Sequence, residues 1–80
     1  MQGLDAMAKP ETTIFLLATL HGEGVTYQAI AKEIGVTYMS VFRWSKGLST
    51  PRPILPVNTH LARLLGENRA NQAVSSGVAR

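Results

Sequence analysis

Residues 26–47, TYQAIAKEIGVTYMSVFRWSKG, constrain this chain most, because two short helical patterns stand there only three residues apart. Thr26 carries a hydroxyl that accepts an orphan N–H at a helix start. Ile30, Ala31 and Ile34 then fall at i, i+1 and i+4, which makes one apolar stripe. Gly35 follows directly, the residue type that best tolerates the left-handed backbone ending a helix. Val36 plugs the turn, and Thr37 supplies a second cap. Val41 and Trp44 sit at i, i+3 on the next helix, and Gly47 stops it. Where two helices cross steeply a large side chain has no room, which accounts for Ala31. Two helices around a three-residue turn with Gly have the outline of a helix-turn-helix.

A chain of 80 residues allows one domain with a small core. Domains of that size bury only about 60–65% of their unfolded surface, so a partner subunit would help. With 45% hydrophobic and 16% charged residues the composition is that of a folded protein. No cysteine is present, which excludes disulfides and thiolate metal sites and suits a reducing cytoplasm. Ile14–Leu20 is an apolar run far short of the roughly 20 residues that span a bilayer. It also lacks the basic start and small-residue cleavage site of a signal peptide. A core helix is the expectation.

The distribution of charge says more than the net +3. All five acids (Asp5, Glu11, Glu23, Glu33, Glu67) lie outside Ile34–Gly66, whereas Arg43, Lys46, Arg52 and Arg63 lie inside it. An acid-free second helix and following loop present a positive face to a polyanion.

Along the chain, residues 1–9 lack periodicity and read as a flexible arm. Pro10 suits the first turn of a helix, Glu11 favours its positive end, and the helix is expected to run to about His21, with Gly22 ending it. Its core candidates are Ile14, Leu16, Leu17 and Leu20. His21 reads as a carbonyl partner or a solvated side chain. Three prolines between Pro51 and Pro56 exclude a helix through that loop. Val57, Leu61, Leu64 and Leu65 resume a helical pattern, capped by Asn58 or Thr59 and ended by Gly66 or extended through ENRANQA. Leu65 and its neighbours either cover the core or meet a second subunit. Residues 74–80 read as a flexible tail. The expected fold is all-α, with the domain at 10–73 and no strand.

The run TYQAIAKEIGVTYMSVFRWSKGLSTP, about a third of the chain, resembles the helix-turn-helix of lambda-repressor-like domains, the Cro–C1 or XRE family. Gly47 and Pro51 match the Gly and Pro that commonly follow the family's recognition helix. The resemblance implies a four- to five-helix bundle whose second motif helix enters the major groove by its N-terminal part. Tyr38 and Met39 fall where the family contacts bases, and Arg43 lies one turn further. Arg pairs with guanine O6 and N7 or holds a phosphate. Tyr27, Gln28, Thr37, Ser40, Lys46, Ser49, Thr50 and Arg52 are the implied phosphate contacts. The chain departs from the family in having Tyr, Met and Phe where Gln or Ser is usual. Apolar side chains there suit thymine methyl groups. Phe42 either faces the DNA or packs in the core or at its edge, against the first or fourth helix, the packing being favoured; Trp44 is expected to anchor the core.

The expected function is that of a sequence-specific DNA-binding transcriptional regulator, a repressor of phage or mobile-element type. The resemblance implies a cytoplasmic homodimer on an inverted-repeat operator of double-stranded DNA. Two alternatives stand beside it. One is a protein-interaction module, an antitoxin or phage adaptor docking through Tyr38, Met39 and Phe42. The other is an accessory DNA-binding subunit in excision or replication. No catalytic residue, metal, cofactor, membrane or small-molecule ligand is expected, since there is no Gly-rich phosphate loop and His21 and His60 stand far apart.

Overall fold

The computed structural model describes residues 6–78 and the side chains of residues 6–73. Among the described residues four complete helices follow one another: α1 (Pro10–Gly22), α2 (Tyr27–Ile34), α3 (Tyr38–Ser45) and α4 (Ile54–Val78). The described residues contain no strand, so the chain is all-helical there. No described helix is long and apolar enough to cross a membrane.

The local signals act where the sequence places them. Pro10 is the first residue of α1, where its missing N–H has no intrahelical role. The Thr26 hydroxyl accepts the Ala29 N–H at 3.0 Å, and that of Thr37 accepts the Ser40 N–H at 3.1 Å. Three helices end alike. Gly24, Gly35 and Gly47 each take a positive φ. The next residue's N–H then reaches back five positions: Val25 to Leu20 O at 3.0 Å, Val36 to Ala31 O at 2.9 Å, Leu48 to Arg43 O at 2.9 Å. This six-to-one bond satisfies a carbonyl that the helix leaves open, and it needs a left-handed residue, so glycine fills the position. For α1 the left-handed stop is Gly24; Gly22, expected to end the helix, is its last helical residue.

The core is one cluster of Leu16, Leu17 and Leu20 from α1, Ile30 and Ala31 from α2, Val41 and Trp44 from α3, and Leu61 and Leu65 from α4. Ala31 is 4% exposed, as the tight α2–α3 approach requires. Helix α1 packs against both α4 and α3, and α2 packs against α3. Ile14 departs from the expected stripe: it is 36% exposed. Its Cδ1 instead lies 3.5 Å from where a Cβ on Gly47 would stand.

Helix α4 differs most from expectation. It starts at Ile54, not Val57, and contains Pro56. A proline at the third helical residue is harmless because the first four N–H groups have no intrahelical acceptor. The helix does not cap at Asn58 or Thr59; of the two expected ends it takes the extension through ENRANQA over the stop at Gly66, and it continues to Val78, across the stretch from residue 74 expected as a tail. A single interior glycine costs a helix about 1 kcal/mol, which a helix of this length absorbs.

Asn58, far from being a cap, is fully buried. Its Oδ1 accepts the Thr13 hydroxyl at 2.5 Å, and its Nδ2 donates to Met7 O at 2.8 Å and Lys9 O at 3.2 Å. One side chain therefore ties α4 to α1 and to residues 7–9. Thr12 Oγ1 also donates to Ala6 O. Residues 6–9, within the expected arm, are thus fastened, while residues 1–5 and 79–80 lie outside the described residues.

Candidate nucleic-acid interface

Helix α3 is held by one face and open on the other. Val41 and Trp44, 0% and 8% exposed, are locked into the core. The opposite positions, Met39, Arg43 and Lys46, are exposed, and Tyr38 flanks them; Tyr38 and Met39 each expose 48% of their surface. The base-contact candidates Tyr38, Met39 and Arg43 thus stand together on one rigid element, Met39 and Arg43 a turn apart.

Phe42 is not a core residue. It is half-buried, lies outside the core cluster and is stacked on Tyr38, with ring centroids 6.2 Å apart and planes 22° from parallel. The Lys46 ammonium stands 5.5 Å from the Phe42 ring centre. Tyr38, Phe42 and Lys46 recur every fourth residue, so they form one ridge along the helix. The face of the aromatic ring attracts a cation there. That spacing was visible in the sequence; which way the rings turn was not.

The expected phosphate contacts scatter more widely. Thr37 and Ser40 use their hydroxyls locally: besides the cap, the two share a hydrogen bond at 2.9 Å. Two hydroxyls hold two protons, so one proton of the pair is left to donate outward. Gln28 is exposed in the first turn of α2. Tyr27 is half-buried against the core, its ring 4.7 Å from that of exposed His21. Lys46 and Arg52 are exposed. Ser49 and Thr50 are exposed too, but they line a hollow of about 160 Å³ shared with Pro10, Glu11 and Trp44. The Glu11 carboxylate disfavours an anion in that hollow, so Ser49 and Thr50 meet a phosphate less readily than Lys46. Pro51, fully buried, pins the loop between them and Arg52.

Charge is segregated between the two sides of the helical pair. Glu33 and Glu67 line an open groove between α2 and α4, floored by Leu20, Val25, Ile30 and Leu64, to which α3 contributes nothing. Glu23 is paired: its Oε2 accepts Arg69 Nε at 2.8 Å and its Oε1 accepts Asn68 Nδ2 at 3.1 Å. The Arg69 hydrogen bond holds the Glu23 carboxyl below its usual range, against the opposing effect of desolvation. The outer face of α3 itself carries Arg43 and Lys46 and no acid. Such a face attracts polyanions over several ångströms.

No protein-family model, curated protein or solved structure matches this chain. A functional conclusion therefore rests on the geometry of α3 and its surroundings.

Proposed function

We propose that this protein is a sequence-specific DNA-binding transcriptional regulator of helix-turn-helix type, with α2 and α3 as the motif and α3 as the recognition helix. The observation that carries the proposal is the state of α3. Capped at one end and closed by Gly47 at the other, it is gripped by Val41 and Trp44. It presents Tyr38, Met39, Arg43 and Lys46 outward with no acid among them. A helix with an exposed N-terminal half, Tyr38 and Met39, and cations at its C-terminal end, Arg43 and Lys46, suits the major groove. Regulation follows from occupancy of an operator, and repression is the form proposed. A homodimer on an inverted repeat, its recognition helices about 34 Å apart, extends the small footprint of one eight-residue helix. Phage or mobile-element origin belongs to the same proposal.

Exposed Tyr38 and Met39 also favour a second reading, in which this face docks a protein, as in an antitoxin or adaptor. One experiment separates the two: selection of binding sites from random duplex DNA by the purified protein at two salt concentrations. Recovery of a short inverted repeat supports a dimeric regulator. With Lys46 and Arg52 of each subunit on phosphates, affinity should fall on the order of 10²-fold between 50 and 200 mM salt. Recovery of no site, with salt-insensitive capture of a protein, overturns the DNA reading.

A further inference from the structure

The surface of α3 is poor in hydrogen-bonding groups, and that poverty limits what it reads. Each base pair shows a distinct pattern in the major groove. Adenine is matched by a side-chain amide, cytosine N4 by a carboxylate, guanine by Arg or Lys, and thymine by apolar contact with its C5-methyl. The helix YMSVFRWS has no Asn, Gln, Asp or Glu. Its small polar groups offer little: Ser45 donates to the Phe42 carbonyl at 2.6 Å, and the Ser40–Thr37 pair keeps a single free hydroxyl proton. What faces outward is Met39 and Tyr38, each 48% exposed and apolar apart from the Tyr38 hydroxyl, with Arg43 and Lys46 between and beyond.

We infer that this face reads the C5-methyl group of thymine, through the Met39 side chain and the ring of Tyr38. The inference rests on the DNA-binding proposal and specifies its partner chemistry. Met39 is flexible and fits a methyl without demanding one angle. Tyr38 is the reverse: its stacking on Phe42, itself beneath the Lys46 ammonium, fixes the ring before any ligand arrives. A pre-fixed ring loses little entropy when a methyl group packs on it. Arg43, one turn from Met39, adds a guanine partner, so the favoured steps combine thymine and guanine.

The test uses the highest-affinity duplex recovered by site selection, with each thymine replaced in turn by uracil, which removes only the methyl group. Burial of one methyl is worth about fourfold in affinity, so symmetric replacement in both half-sites should weaken binding about 15-fold at the contacted positions. Met39→Ala and Tyr38→Ala should shrink that penalty toward onefold while still binding the uracil duplex. A recovered site that is indifferent to uracil at every thymine overturns methyl reading and leaves DNA binding intact. A uracil penalty unchanged in both variants overturns the assignment to these two residues. Failure to recover any site overturns the DNA-binding proposal and this inference with it.

Discussion

Asn58 does more for this fold than any surface charge. It is a buried amide with three hydrogen bonds, to a hydroxyl on α1 and to two carbonyls before it. Removing such a group strands the Thr13 hydroxyl and the Met7 carbonyl, whereas Lys9 O keeps the Thr12 N–H at 3.1 Å, and each unsatisfied buried group costs about 1–3 kcal/mol. Asn58→Ala is expected to lower stability by about 3 kcal/mol in chemical denaturation, and to raise amide exchange in residues 6–12. A loss below about 1 kcal/mol would mean that water replaces the amide at little cost. Asn58→Leu keeps the volume but still strands Thr13, so it should rescue only part of the loss.

At the scale of elements, the α2–α3 connection depends on one dihedral angle. Gly35 has φ 88°, and no atom lies within 4 Å of the position a Cβ would take. A side chain there meets no clash and pays only the left-handed backbone cost, about 1–2 kcal/mol for Ala. Gly35→Asn should cost less than Gly35→Ala, since Asn tolerates that region; equal losses would point to a steric origin. The exposed face of α3 is a separate matter, because its side chains carry no core load. Arg43→Ala should leave the melting temperature within a few degrees. If Arg43 pairs with guanine, the variant loses about 1–3 kcal/mol on a specific duplex and less on random DNA. Equal losses on both would make Arg43 a phosphate contact.

For the whole molecule, the far half of α4 is joined to the rest through the turn after α1. Glu23 takes hydrogen bonds from Asn68 and Arg69, and Gln72 Nε2 donates to the Glu23 carbonyl at 3.5 Å. Because the folded carboxyl titrates below its unfolded value, near 4.3, the folded state binds fewer protons in that interval. The contribution of Glu23 is therefore present in full above the unfolded value and is lost as pH falls through the folded one. Glu23→Gln should melt below the parent protein at pH 7 and converge with it as the folded carboxyl protonates in acid, read by circular dichroism. A gap of the same size at both pH values would show that charge plays no part.

Local chemistry determined much of this protein. Both threonine caps, the left-handed stops at Gly35 and Gly47, and the buried pair Val41 and Trp44 depend on residues a few positions apart, so spacing alone reveals them. The acid-free composition of α3 is legible in the same way. Long-range packing decided the rest. Asn58 is a buried strut because Thr13, 45 positions away, faces it; nothing near Asn58 distinguishes that role from a cap. Gly66 and Pro56 are helix breakers by type, yet α4 runs through both, because Pro56 falls where no N–H is needed and one interior glycine costs a long helix only about 1 kcal/mol. Phe42 joins the Tyr38 ridge because the core is already filled by Val41 and Trp44 from the same helix. Which residues form caps follows from neighbours in sequence; which polar groups are buried and which rings stay outside follow from how four helices fill one space.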